Sequence, residues 1–412
     1  MRLLVALFVG AAVGRYLGTE KFGTYSAVLS FCTLLALGSD LGIARVVVRD
    51  LVSGKRVLGA LMGTAVAIRV GGAVCVAVVT VLALPLIHGT HAKVPIILGL
   101  MFATGFLLKS IDVLDLGFQA VTDGKYPAFA RMTSLLAGAL LQIWLIRHAA
   151  EVQAFGVAFV LESTLTCISM VLVWWKFGSA AYKKWSFDPI IAKGLLAESW
   201  PMFVASLYSH IYYRIDVILL EKMAGSSQAG IYSASARIYE ILIGVLPLLS
   251  VSLFPTFTQW YQMEKAVFTR RYTQITRWIT WAGAAGLLLI WFLRHHIFRH
   301  IFGPEFAAAA NVLPWHLASA AVMYHGLFRA AYLTLAQRQI ILLWMSLLGA
   351  VVNVGLNLFL IPRMGAGGSA LAGFVTQIVA LSASNLLFKE TRWLIGVSLW
   401  TMFVPVKPLR CP

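Results

Sequence analysis

Eight ionisable side chains of this 412-residue chain fall within long apolar runs: Arg15, Lys109, Asp112, Asp115, Arg214, Asp216, Arg237 and Arg329. In hydrocarbon each costs about 2.5–3.5 kcal/mol on insertion scales, so groups kept there bind a ligand, carry a proton or cation, or tie helices together. Lys109, Asp112 and Asp115 step by three residues, which at about 100° per residue confines them to roughly 120° of one helix face. That stripe reads equally as a lumen-facing site where a carboxylate takes up and releases a proton, or as a self-neutralised pair joining two helices. Arg214 and Asp216 stand about 200° apart on a helix and cannot face one cavity without distortion near Pro201. With His210 one turn before it, Arg214 is placed toward the lumen and Asp216 between helices. Arg237 and Glu240 share a face and are able to pair, whereas Arg329 has no acidic residue within a turn. Arg69, Glu162 and Glu198 lie where their heads reach the interface, and Asp40 is placed as a cap of its helix.

The elements that carry these groups are membrane spans. The chain is 60% apolar and only 12% charged, a balance no water-exposed surface sustains. Roughly 20 apolar residues cross a bilayer as a helix. Twelve such stretches are predicted, at 1–17, 23–44, 57–87, 93–120, 128–147, 153–176, 195–221, 229–258, 275–302, 307–335, 339–361 and 367–388. The first is read as a retained, short span because no small-residue cleavage site follows it. The stretch from Trp393 to Val406 is short and tryptophan-bearing, so an interfacial helix or tail is predicted over 391–412. Gly365-Ala-Gly367-Gly368 lacks the spacing of a phosphate-cradling loop and reads as a tight turn. Gly10 and Gly14 have the spacing that lets helices pack closely.

A net charge of +17 raises the question of nucleic acid, but the distribution of Lys and Arg answers it differently. Loops after even-numbered spans carry seventeen, from Arg45 to Arg392, and loops after odd-numbered spans carry eight. That asymmetry puts both termini in the cytoplasm and assigns the surplus charge to anionic lipid headgroups rather than to nucleic acid. Cys32, Cys75, Cys167 and Cys411 have no zinc or disulfide spacing. His296 and His300 are one turn apart but flank Arg299, which favours a solvated cluster over a metal site. No cofactor is expected, and no loop is long enough to house a catalytic domain, so an enzyme is not expected either.

The chain also repeats. Gly18-Thr-Glu-Lys-Phe-Gly23-Thr-Tyr25-Ser26-Ala27 returns as Gly225-Ser-Ser-Gln-Ala-Gly230-Ile-Tyr232-Ser233-Ala234 at an offset of 207, and Arg131-Met-Thr-Ser134 is echoed by Trp344-Met-Ser-Leu347 at an offset of 213. Six spans separate the copies, an even number, so the halves share one orientation. The expected fold is all-α and integral to the membrane, with about twelve spans in two six-helix bundles, 1–190 (with the loop that follows) and 191–390.

Gly14-Arg15-Tyr-Leu-Gly18-Thr-Glu-Lys-Phe-Gly23-Thr-Tyr25-Ser26, Ser39-Asp40-Leu-Gly42, Ser199-Trp-Pro201, Tyr213-Arg214-Ile-Asp216 and Ile361-Pro362-Arg363-Met-Gly365-Ala-Gly367-Gly368 closely resemble the polysaccharide (O-antigen type) flippases. These belong to the multidrug, oligosaccharidyl-lipid and polysaccharide exporter superfamily. The first span is shorter than in such proteins. The resemblance implies movement of an undecaprenyl-pyrophosphate oligosaccharide across a bacterial inner membrane by alternating access, with a proton or cation as coupling ion. If Arg15, Lys109, Arg214, Arg237 and Arg329 converge on the cleft between halves, they offset the burial of phosphate. Asp112, Asp115 and Asp216 are then the coupling residues. A multidrug cation antiporter of the same fold would instead want an acidic, aromatic cavity. A glycan polymerase would want a large external loop, and a non-transporting scaffold would leave every charge in a local pair.

Overall fold

A computed structural model describes residues 2–54, 57–88, 92–178, 184–381, 383–388 and 391–394. Among these the regular structure is helical throughout. The elements are α1 (Arg2–Asp40), α2 (Ala44–Ser53), α3 (Leu58–His88), α4 (Lys93–Lys109), a 3-10 turn (Ser110–Leu114) and α5 (Asp115–Ala120). Then come α6 (Lys125–Arg147), α7 (Val152–Phe177), α8 (Pro189–Ala224), α9 (Ser226–Gly244), α10 (Leu246–Tyr261) and α11 (Lys265–Ile297). A π turn (Phe298–Phe302) and a 3-10 turn (Pro304–Phe306) lead to α12 (Ala309–Gly326), α13 (Arg329–Leu335), α14 (Gln339–Leu381) and a last 3-10 turn (Ala383–Leu386).

Nine stretches among the described residues are long and apolar enough to cross a membrane, and they account for eleven of the twelve expected spans. The first two run together through Gly18 as Leu4–Ser53 and the last two through Gly365 as Ile340–Leu381. Both glycines are non-helical, with φ 73° and ψ 175° at Gly18 and φ 53° and ψ −131° at Gly365. Positive φ of this kind is open to glycine and costly for other residues, so each continuous rod is two helices hinged at a turn. The stretch expected over 307–335 is interrupted where α12 ends and α13 begins. Helix α2 was not anticipated. It buries Val46, Val47, Asp50 and Leu51 on one side and reads as a short amphipathic helix.

The side chains are arranged as a bilayer requires. Val78, Leu82 and Leu86 on α3 and Trp278 on α11 are more than half exposed, a placement that only a lipid solvent makes favourable. This is a multi-pass membrane protein. Contacts divide it into a first unit, Met1–Leu17 with Thr24–Arg214, and a second, Gly18–Gly23 with Ile215–Pro412. The first unit packs about Ile43, Val47, Leu61, Val113 and Leu195, and the second about Phe257, Tyr272, Phe328, Leu333 and Trp393. Trp393 and Leu394 belong to that second core; the rest of the expected interfacial helix, from 395 onward, and Cys411 lie outside the described residues.

The repeat is visible in the backbone. Gly225, 207 positions after Gly18, has φ 90° and ψ 164°, nearly the Gly18 conformation. Inside the second unit the segment Gly18–Gly23 crosses the start of α9 so closely that neither crossing glycine tolerates a side chain. A Cβ on Gly23 would overlap the Ser226 carbonyl, and a Cβ on Gly230 would overlap the Thr19 carbonyl. Each pair of positions is related by the same offset of 207. Ser227 Oγ donates to Thr19 Oγ1 at 3.1 Å beside them.

Candidate functional site

In the first unit the break from α4 into a 3-10 turn decides how the charges meet. In a 3-10 helix residues i and i+3 eclipse, so Asp112 and Asp115 stand over one another and a single guanidinium reaches both. Arg131, on α6, lies 3.4 Å from Asp112 Oδ1 and 2.9 Å from Asp115 Oδ2. Gln119 Nε2 also donates to Asp115 Oδ2, at 2.9 Å. Lys109 does not join them. Its Nζ lies 3.4 Å from Glu162 Oε1 on α7 and 4.3 Å from the centre of the Phe159 ring. Gly105 and Gly138 make that room, because a Cβ on the first would strike Phe159 and on the second would come 2.9 Å from Glu162 Oε2. Arg69 pairs with Asp40 and Arg49 with Glu198 at 2.6 Å.

Removal of Arg131 should therefore cost more than removal of either acid, since it strands two carboxylates at once. Arg131→Met is expected to lose about 1.5–3 kcal/mol for each charged hydrogen bond broken. Thermal unfolding of the purified protein measures this. Adding Asp112→Asn and Asp115→Asn to the same chain should recover most of the loss.

In the second unit a polar cluster is sealed inside apolar helices. Asp216 on α8 is buried, and both carboxylate oxygens accept neutral donors: Tyr232 Oη on α9 at 2.6 Å and Asn357 Nδ2 on α14 at 2.7 Å. Asn357 Nδ2 also donates to the Asn353 carbonyl at 2.9 Å, and its Oδ1 accepts from Ser369 Oγ at 2.7 Å. The Asn353 amide lies beside Asp216, is fully buried, and makes no well-formed hydrogen bond. His316 on α12 continues the cluster, with Nδ1 2.8 Å from Ser235 Oγ and its ring 4.9 Å from Tyr232 and 5.2 Å from Tyr239. Among the described residues no basic side chain pairs with Asp216. A buried carboxylate held only by neutral dipoles is a place to bind and release a proton or cation.

Of these residues, the sequence alone marks only Asp216 as a site candidate. Asn353 and Asn357, one turn apart in an apolar helix, were a usable signal for the remainder.

The expected cationic residues are placed in different settings. Arg15 is exposed and Arg214 half-buried. Arg237 is half-buried, its guanidinium 5.3 Å from the centre of the Phe22 ring. Arg329 is buried. Its Nη1 donates to the carbonyls of Ala380 and Leu381 at 2.9 and 2.7 Å, Nη2 touches the Met345 sulfur, and Nε has no partner. It thus caps the last carbonyls of α14, the end of a helix that favours a cation. The rings of His296 and His300 lie 4.1 Å apart at the exposed end of α11.

The family described as polysaccharide biosynthesis protein matches residues 3–260. The chain belongs to that family. A search of curated proteins gives no match. Among solved structures, an inward-facing multidrug resistance MATE family transporter of the MOP superfamily is 14% identical, with 97% of this chain and 96% of that one covered and a TM-score of 0.74. The lipid II flippase MurJ, in an inward closed conformation, is 13% identical over 97% of this chain and 88% of that one, with a TM-score of 0.75. A MOP superfamily transporter from Pyrococcus furiosus is 15% identical over 96% and 95%, with a TM-score of 0.61. At such identities the likeness establishes the shared fold. This polysaccharide biosynthesis protein therefore has the two-bundle architecture with an internal parallel repeat, and its structural relatives are transporters and flippases rather than enzymes.

Proposed function

We propose that the chain is an ion-coupled flippase that moves a lipid-linked oligosaccharide, of the undecaprenyl-pyrophosphate kind, from the cytoplasmic to the outer leaflet of a bacterial inner membrane. The observation that carries this reading is the contrast between its intramembrane acids. Asp112, Asp115 and Glu162 each have a cationic partner, while Asp216 has only neutral groups around it, Tyr232, Asn357 and the Asn353 amide. Structural charges are compensated in this way; a buried acid left without a counter-charge is suited to a mobile ion. Membership of a polysaccharide biosynthesis family supports a saccharide cargo, and the MurJ relative is a flippase for a lipid.

In this reading Asp216 is the principal coupling residue. Asp112 and Asp115 take part by exchanging Arg131 for a proton or cation during alternating access. Arg15, Arg214 and Arg237 meet the pyrophosphate, for which guanidinium is the matched donor, while Lys109 and Arg329 would join them only after leaving Glu162 and the α14 carbonyls. The halves 1–190 and 191–390 move against each other with both termini in the cytoplasm.

The test is transfer of a labelled undecaprenyl-pyrophosphate oligosaccharide across proteoliposomes under imposed proton or sodium gradients. Transfer that follows a gradient and falls at least about tenfold in the Arg214→Ala and Arg237→Ala double variant, the loss of about 1.4 kcal/mol in cargo binding, supports the flippase. Movement of cationic drugs in place of the lipid would transfer the assignment to a multidrug antiporter.

A further inference from the structure

The outer face of α14 carries an apolar groove of about 420 Å³, lined chiefly by Trp344, Met345, Leu348, Val351, Leu387 and Phe388. Trp344, Val351 and Leu387 are each more than half exposed; the first two lie in a stretch long and apolar enough to cross the bilayer, and Leu387 follows its end. The groove begins about 8 Å and ends about 18 Å inside the start of α14, from a rise of roughly 1.5 Å per residue. It therefore opens toward one membrane surface, where an indole such as that of Trp344 is at home.

Around that opening the described charged side chains are arginines. Arg392 is exposed, and its Nε donates to the Leu386 carbonyl at 3.1 Å, which fixes the guanidinium beside the groove wall at Leu387. Arg338, also exposed, immediately precedes α14. Behind the groove Arg329 touches the sulfur of Met345, and no carboxylate among the described residues pairs with it. An apolar trough with guanidinium groups at its mouth is complementary to a lipid whose acyl chain carries a phosphate head of net negative charge.

We infer that this groove is a binding site for an anionic phospholipid of the adjoining leaflet, one acyl chain lying along Trp344 to Val351 and the phosphate meeting Arg392 and Arg338. The site is separate from the Asp216 cluster and does not depend on the identity of the transported cargo.

The experiment uses the full chain in liposomes that contain phosphatidylglycerol or phosphatidylcholine with a photoactivatable acyl chain, followed by mapping of the labelled peptides. Phosphatidylglycerol is expected to label the peptides holding 344–351 and 387–388 in excess over phosphatidylcholine, by roughly fivefold for each engaged arginine. Arg392→Gln should remove about one such factor without changing labelling elsewhere. Val351→Trp, at an exposed position, should fill the trough and suppress labelling there by both lipids.

Equal labelling by the two lipids, or labelling indifferent to both variants, overturns the proposal. So does displacement of the label by polyisoprenyl phosphate at equal phosphate, which would make the groove a cargo site. A several-fold rise in labelling on deletion of residues 395–412 would assign the groove to the chain's own end and overturn it as well.

Discussion

Asp216→Asn is expected to yield a protein that folds and unfolds like the parent but whose transport no longer responds to an ion gradient. The two partners of the carboxylate make this separation possible. Asn357 Nδ2 donates to Oδ1 and Tyr232 Oη to Oδ2. An asparagine placed with its oxygen toward Asn357 keeps the first bond, and its amide nitrogen donates to the Tyr232 oxygen once that hydroxyl turns. Shape and a hydrogen bond to each partner survive while the exchangeable charge is gone. Asp216→Ala differs: it strands the Tyr232 hydroxyl and the Asn357 amide in a buried site, at about 1–3 kcal/mol for each unsatisfied group. The alanine variant should therefore unfold at lower temperature as well as lose coupling. Thermal unfolding of both variants, set beside gradient-driven transfer in proteoliposomes, distinguishes the two effects. Retained gradient dependence in Asp216→Asn would move the coupling step to Asp112 and Asp115.

Much of the fold was readable because the bilayer allows so few solutions. Length and apolarity placed the spans, and the repeat placed the equivalence of the halves, since each is a property of the sequence read locally. The pairing of charges was not readable in the same way. Spacing along one helix reports which residues share a face, but not which neighbouring helix that face meets. Lys109 was grouped with Asp112 and Asp115 on a stripe computed for an α-helix, yet the chain changes to a 3-10 turn at Ser110 and Lys109 meets Glu162 on another helix. Arg131 stands only three residues into the span expected over 128–147, which gives no sign of an acidic partner; α6 begins at Lys125, which carries Arg131 nearly two turns into the helix and opposite the two acids. Arg329 looked unpaired because the sequence analysis sought carboxylates, whereas its partners are backbone carbonyls more than fifty positions away. The Asp216 cluster shows the same limit, since Tyr232, Asn357 and Ser369 come from three helical segments that only tertiary packing brings together.

A large effect on stability is expected at the crossing of the two repeats, from the smallest possible substitution. Gly23→Ala and Gly230→Ala each add one methyl group, but that methyl would overlap a backbone carbonyl, of Ser226 in the first case and Thr19 in the second. A side chain in the way is able to rotate; a helical carbonyl is not, so relief requires the helices to part along the crossing. Overpacking of a well-packed interior costs about 1–3 kcal/mol, and each variant should lie at or beyond the upper end of that range. Gly286 on α11 is the control, because a Cβ there has no atom within 4 Å and its exposed, helical backbone should gain up to about 1 kcal/mol from alanine. Unfolding temperature and the yield of monodisperse protein in detergent rank the three. The double variant carries the sharper argument. Both methyls press on the same contact, so once the first has forced the helices apart the second has less to do, and the combined loss should fall short of the two single losses added together. Full additivity would mean that Gly23 and Gly230 fail for separate reasons, and the close crossing of the repeats would not be what holds these two segments in place.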